Sequence, residues 1–351
     1  MDQNIKTPLV SVILPVFNSE KYLVEAMESI LNQSYSNIEF IVINDGSTDA
    51  SEKIIAGFND ERIKIVNNHQ NKGLIYSLNT GINHAKGKYI ARMDADDISL
   101  PDRLKFQVEF LENYPAIGIC SCDYYQFSNN QKWFSKSISN HETILVHLLF
   151  NCSIAHPTLL IRKNILDSQE VIYDAHFPHA EDYELWSRLV LKCKISSVEK
   201  TLFNYRIHRN QITQKYHQEQ IESGNKIRRK ILADCGFKFD EEELRVHCLL
   251  GSSTKIVQLS DLVLLRNWLE KLINQNQNIK LVDHQLFTSL IGKYWYDACG
   301  NTNLGITAFR YYFSSKFLLK NYSGNTLRLF AKCMIRKFKF LESRLTPFAS
   351  S

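Results

Sequence analysis

The N-terminal third of the chain alternates short apolar runs with stretches of helical periodicity, and few architectures accommodate that alternation. Leu9-Val10-Ser11-Val12-Ile13-Leu14 reads as a buried strand stopped by Pro15. Asn18-Ser19 can cap the next element, in which Tyr22, Leu23, Ala26, Met27, Ile30 and Leu31 recur at helical spacing. A second strand, Ile38 to Ile43, runs into the turn residues Asn44-Asp45-Gly46-Ser47. A helix from Ala50 to Phe58, a strand at Ile63 to Val66, a helix from Leu74 to Ala85 and a strand at Lys88 to Met93 continue the series. Pro101 suits a helix start, and Leu104, Val108 and Leu111 supply its apolar face. Short connections between alternating strands and helices predict an α/β fold: a mostly parallel, doubly wound sheet flanked by helices.

From Gly118 to about Arg209 the pattern is mixed, with strands near Ile119 and at Leu159 to Ile161 and a helix from Tyr183 to Leu191 behind Ala180-Glu181-Asp182. Beyond Thr213 it turns helical. A boundary near Gln214 therefore divides residues 1–213 from a helical C-terminal region, 214–351. The eight cysteines include no C-x-x-C pair, and Cys120 and Cys122 would share one buried strand face, which favours core packing over zinc. No apolar run is long enough to span a bilayer, and Met1-Asp2-Gln3-Asn4 lacks a signal-peptide pattern. The expected location is cytoplasmic, or peripheral on the inner face of the cell membrane.

Residues 310–344 hold nine Lys/Arg against the single acid Glu342, a surplus of eight that exceeds the net +5 of the whole chain. The remainder is net acidic, so the basic character lies in the tail, and no nucleic-acid surface is expected on the main body. Leu327, Phe330, Ala331, Met334, Phe338 and Leu341 form an apolar stripe there, with Arg328, Lys332, Arg336 and Lys339 around it. Membrane-surface contact through residues 327–344 fits this pattern, as does a surface helix packed on its own domain.

Ligands of open parallel sheets collect beyond the carboxyl ends of the strands. Three polar groups fall at such ends: Pro15-Val16-Phe17-Asn18, Asn44-Asp45-Gly46-Ser47-Thr48-Asp49 and Asp94-Ala95-Asp96-Asp97. Three carboxylates in four residues repel unless a cation, donors or water compensate. Asp94 and Asp96, two apart, can present oxygens to a hard divalent ion; the alternative is a solvated acidic turn before the next helix. Asn-Asp-Gly is an ordinary turn or a base or ribose contact. Neither G-x-G-x-x-G nor a P-loop is present.

Taken together, Val12 to Asn18, Asn44 to Asp49, Gly87 to Asp97 and Pro101-Asp102-Arg103-Leu104 resemble, in order and spacing, glycosyltransferase family 2, inverting enzymes of the GT-A fold. The resemblance covers about residues 7–213. It implies a nucleotide-diphospho-sugar donor, commonly a UDP-sugar, Mn²⁺ or Mg²⁺, and a glycan or lipid-linked acceptor in a bacterial-type surface polysaccharide pathway. By the same resemblance, Pro15 and Phe17 shape the base pocket with Asn18 in the donor-nucleotide site, and Asp45 bonds the uracil edge. Asp94 stands near ribose or metal, and Asp96 holds the metal. His179 to Trp186 resembles the family's acidic segment, in which Asp182 matches the catalytic base. Tyr205-Arg206-Ile207-His208 resembles the segment where a His approaches the metal or diphosphate, a part that Arg206 or Arg209 could also play. The Q-x-x-R-W element of processive members is absent, which implies transfer of one or a few sugars. The competing readings are a sugar nucleotidyltransferase and a catalytically silent binding or scaffold protein on the same fold.

Overall fold

The computed structural model describes residues 7–128, 131–169, 172–208, 216–252, 254, 256–315 and 328–335. The chain runs β1 (Val10–Val16), α1 (Leu23–Leu31), β2 (Ile38–Asp45), α2 (Ser51–Gly57), β3 (Ile63–Asn68), α3 (Leu74–His84), β4 (Tyr89–Arg92), β5 (Ile98–Ser99), α4 (Arg103–Asn113), β6 (Ile117–Ser128), β7 (Gln131–Ser135), α5 (His141–Phe150), β8 (Leu160–Arg162), α6 (Lys163–Asp167), α7 (Glu181–Leu189) and β9 (Lys194–Arg206). The sheet order is β3-β2-β1-β4-β8-β6-β9-β5, with β7 paired to β6. Strands β1 to β4 are mutually parallel, β8 runs against both β4 and β6, and β9 is parallel to β6. Hence β1, β2, β3, β4, β6 and β9 share one direction, and β5, β7 and β8 oppose it.

Alternation along β1 explains why both sheet faces need a cover. Val10, Val12, Leu14 and Val16 point into a cluster with Leu23, Ala26, Met27 and Ile30 of α1 and with Phe40 and Val42 of β2. On the opposite face α3 packs so closely that a Cβ on Gly81 would lie 2.5 Å from Ile13 Cγ2. Glycine is required there by contact. Cys120 and Cys122 are buried in the core beside the carbonyls of Gln107 and Thr158.

Two local expectations are corrected. β1 does not stop at Pro15 but continues to Val16, with Pro15 opposite Ile43. β4 pairs β1 only as far as Ile13, so Pro15 has one neighbouring strand and its missing N–H is tolerated. Nor do Asn18 and Ser19 cap α1, which begins at Leu23 without a side-chain cap. Asn18 instead takes a left-handed φ of 48° and turns its side chain toward the loop after β2.

The chain forms two compact units, residues 1–145 with 152–223 and residues 146–151 with 224–351. The first contains the sheet. The second holds α9 (Glu241–Gly251), α10 (Leu259–Ile279), α11 (His284–Gly300) and α12 (Ile306–Phe313), and most of α8 (His217–Asp234). Its core includes Trp268 and Trp295, both fully buried, and a capping box between Asp240 and Glu243 starts α9. Residues 328–335 are helical. Leu329 and Cys333 are the buried pair of that stretch, while Phe330 and Ile335 are exposed. Leu327, the basic residues Arg336 and Lys339, and the apolar Phe338 and Leu341 lie outside the described residues. No described helix is long and apolar enough to cross a membrane.

Candidate functional site

Adjacent strands β2, β1 and β4 end side by side, which places the three polar groups along one edge of the sheet. The first two are sewn together. The Asn18 N–H donates to Ser47 Oγ (3.1 Å), and Asn18 Oδ1 accepts from the Thr48 N–H (2.8 Å). The Ser19 N–H donates to Ser51 Oγ (2.8 Å), while Glu20 and Asp49 each accept a backbone N–H from the other loop. Asp45 is 3% exposed, and its Oδ1 accepts from Asn68 Nδ2 (2.7 Å) and the Lys72 N–H (3.0 Å). Its Oδ2 accepts from the Gly73 N–H at 2.8 Å. Gly46 follows at φ 68°, where a Cβ would sit 2.6 Å from the Gln70 backbone, so glycine is required at this position twice over. Phe17, 45% exposed, follows the end of β1, and Pro15 is half-buried.

The acidic group follows β4. The Asp97 N–H bonds back to the Asp94 carbonyl at 3.3 Å, and that turn gathers ligand atoms of Asp94, Asp96 and Asp97 within 4.8 Å of one another. Asp97 is 1% exposed; its Oδ1 accepts the Arg206 N–H (2.8 Å), and its Oδ2 is buried without a hydrogen-bond partner among the described residues. Burial, followed by the charges of Asp94 and Asp96, raises the Asp97 carboxyl well above its ordinary range. Burial also lifts Asp94 to about 6, against the pull of Arg92 and with Asp96 adding to the rise. Asp96 Oδ2 lies 2.7 Å from His208 Nε2. Such an arrangement of hard oxygens, one of them buried and orphaned, fits a divalent cation of the Mg²⁺ or Mn²⁺ type. The turn therefore brings Asp97 into the group beside Asp94 and Asp96, the two acids to which the sequence assigns the cation.

Arg92, the last residue of β4, is the basic counterpart. Its guanidinium is buried and bonds both carboxylate oxygens of Asp94. Burial works against its charge, yet Asp94, Tyr173, Glu181 and Asp97 together hold it above its usual value. Arg103 of α4, fully buried, braces the strand by donating to the Pro157 carbonyl (2.7 Å) and approaching the Arg92 carbonyl (3.4 Å).

Asp182 stands in the first turn of α7, where the helix N-terminus favours negative charge. Its Oδ1 accepts the Tyr183 N–H at 2.6 Å. The Cys152 thiol lies 3.7 Å from its Oδ2 and 3.5 Å from the Ile154 carbonyl, and one S–H can serve only one acceptor at a time. Burial outweighs these donors and raises the Asp182 carboxyl. Asp182 is near enough to Asp94 for its charge to add to the rise there. Neighbouring Glu181 is lifted to about 7, by burial and then by Asp182. His156 Nε2 and the Tyr173 hydroxyl lie 2.7 Å apart, and burial, followed by the charge of Arg92, pushes the His156 imidazole well below its ordinary value.

Pro15, Phe17, Asn18 and Asp45 thus border one end of this edge, and Asp94, Asp96, Asp97 and His208 the other. Arg206 is engaged by the chain: Nε donates to the Asp96 carbonyl (2.6 Å), a terminal nitrogen pairs with Glu25, and the guanidinium stacks over Tyr22 at 4.3 Å. Its part is to hold the acidic turn. Arg209 lies outside the described residues. Sequence reasoning missed Arg92, Cys152, Glu181 and the His156–Tyr173 pair. Arg92 left a signal, as a cation at the end of an apolar strand, and Glu181 left one as part of the acidic segment before α7.

The model of glycosyl transferase family 2 matches residues 11–168. An uncharacterised glycosyltransferase of Haemophilus influenzae is 38% identical over 237 residues, which cover 64% of this chain and 73% of that protein. The UDP-Glc:alpha-D-GlcNAc-diphosphoundecaprenol beta-1,3-glucosyltransferase WfgD of Escherichia coli is 31% identical over 191 residues, 54% of this chain and 73% of that one. Among solved structures, residues 1–349 of S. aureus TarS in complex with UDP-GlcNAc superpose with a TM-score of 0.57 at 16% identity, over 95% of this chain and 92% of that one. That likeness shows a shared fold.

Proposed function

This chain belongs to glycosyltransferase family 2 and is a glycosyltransferase, and from that premise we propose that it moves a sugar from a UDP-sugar to a hydroxyl of a glycan or lipid-linked acceptor, with inversion and without processive extension. The single observation that carries the reading is the turn at Asp94 to Asp97, whose three carboxylates bring ligand atoms within 4.8 Å of one another, with Asp97 Oδ2 buried and without a hydrogen-bond partner among the described residues and with the charge of Asp182 felt at Asp94. Residues 1–213 form the transferase domain in this reading, and 214–351 a helical region.

Pro15 and Phe17 border the uracil, with Asn18 fixing the loop around it. Asp45 Oδ2 uses one acceptor position on Gly73 and keeps a second for the base N–H. Asp94, held by Arg92, lies toward the ribose. Asp96, Asp94 and Asp97 would hold Mn²⁺ or Mg²⁺, with His208 beside them; such a cation offsets charge on the departing diphosphate. Asp182 takes the proton of the acceptor hydroxyl as attack develops, and its raised pKa makes it a stronger base than a free aspartate. A lipid-linked acceptor is favoured because WfgD, as its name states, uses a diphosphoundecaprenol-linked sugar. Such an acceptor would bring the enzyme to the inner face of the cell membrane, with residues 327–344 as a contact.

Thermal shift with UDP, in Mn²⁺ or with chelator, tests the donor site. Stabilisation by UDP that requires the cation is the expected result, with UDP release once donor and acceptor are combined. A protein indifferent to every nucleoside diphosphate refutes the reading.

A further inference from the structure

We propose that one face of the hairpin formed by β6 and β7 is a platform for the sugar rings of the acceptor, an inference that rests on the reading of the chain as a sugar transferase. The antiparallel register sets Tyr125 opposite Phe134 and Phe127 opposite Lys132. Residues two apart on a strand share a face, so these four side chains stand together. The parallel register with β9 then sets Phe127 beside Arg206 on that same face. The Tyr125 and Phe134 rings meet edge to face at 5.9 Å, and Lys132 Nζ lies 4.1 Å from the Tyr125 centroid. The Arg206 guanidinium lies 4.5 Å from the Phe127 centroid and bonds the Asp96 carbonyl. The aromatic row therefore starts at the acidic turn and runs outward along the hairpin.

On the face in question Phe134 is 55% exposed, on a strand that pairs only with β6 among the described residues. An exposed aromatic side chain on an open edge strand invites association, and the sugar rings of the acceptor are the cover proposed for this one. Sugar rings fit this surface: their C–H faces are electropositive and pack on the negative faces of aromatic rings. Among the described residues no strand lies on the outer edge of β7, so its outward N–H and C=O groups offer partners to the hydroxyls. The same unpaired backbone is unsuited to hydrocarbon, which argues for a glycan over a lipid surface. Trp133 lies opposite Gln126, on the other face of the hairpin, and provides an internal control.

The test measures binding of the full chain, in the presence of UDP, to an array of immobilised neutral and acidic oligosaccharides. Phe134→Ala, and Phe134→Leu as a variant that keeps apolar bulk, should each weaken retention by about tenfold or more, the loss expected for one buried aromatic contact. Trp133→Ala should retain the wild-type pattern. Equal weakening by the variants of both faces, or no glycan retained by the wild type, overturns the proposal. So does a Phe134→Ala defect seen with phosphatidylglycerol vesicles and not with glycans, which would assign the hairpin to a membrane. The UDP thermal shift of each protein is read in parallel. A wild type that shifts with UDP and retains no glycan loses the platform alone, whereas one that retains glycan and ignores UDP loses the donor reading.

Discussion

Replacing Arg92 by Met removes the cation that, among the described residues, is bonded to Asp94, while keeping an apolar stem of similar length in its place. The cost follows from what Asp94 can do in response. In the folded chain its carboxyl titrates at about 6, against 3.8 for an ordinary aspartate. Loss of the guanidinium pushes the folded value higher, and the buried group escapes by taking up a proton. A carboxyl with a raised folded pKa destabilises the fold as pH climbs from its unfolded toward its folded value, and the penalty then levels off. Wild type levels off near pH 6; the variant keeps losing stability above it. At about pH 7.5 the gap from Asp94 is at most about 1.5 pKa units, or about 2 kcal/mol. For a domain of this size that is a fall in Tm of about 4–8 °C. Glu181 and Asp97, which also face Arg92, act in the same direction. Near pH 6 wild-type Asp94 is already half protonated, so this part of the gap closes. Melting curves of the two proteins in chelator, from about pH 6 to about pH 7.5, measure it. A gap of equal size at both ends, or a variant as stable as wild type throughout, would refute the electrostatic account of Arg92.

Asp182→Asn should leave UDP-induced stabilisation intact and reduce transfer by about 100-fold or more; equal loss of both would make Asp182 structural. Because burial raises the Asp182 pKa, the wild-type rate should fall on acidification, with the acid limb displaced above the pH at which a free aspartate titrates; a limb at the free-aspartate value contradicts this. Asp45→Ala strands the Asn68 amide and the Lys72 and Gly73 N–H groups, and should cost about 2–3 kcal/mol in denaturant melts along with UDP affinity. Unchanged stability would show that the loop finds other acceptors. Truncation before Leu327 should lower co-sedimentation with anionic vesicles, and unchanged binding removes the tail from the membrane reading.

What was legible in the sequence is what local chemistry writes into it. Buried parallel strands are continuous apolar runs, and the helices between them show their buried stripe, so β1 to β4 and α1 to α4 could be read within a residue or two. The polar ends of those strands were legible for the same reason, since Asp45, Asp94 and Asp96 interrupt the pattern where an open sheet places its ligands. The second half of the site was not legible, because long-range pairing builds it. Nothing near Cys152 in sequence announces Asp182, thirty residues on. Nothing near Arg206 announces that its N–H caps Asp97 across 109 residues, or that its side chain holds the Asp96 carbonyl. Pro15 was misread as a stop because its tolerance depends on where β4 ends, a fact about a neighbouring strand. The β6–β7 hairpin shows the same limit most plainly. Residues 124 to 134 read only as a mixed polar and aromatic stretch, and strand register alone sorts Phe134 from Trp133, placing one on the side of Arg206 and the other away from it. A substitution at either position looks equivalent in sequence, whereas under the proposed platform the register predicts a loss of acceptor binding at Phe134 and none at Trp133.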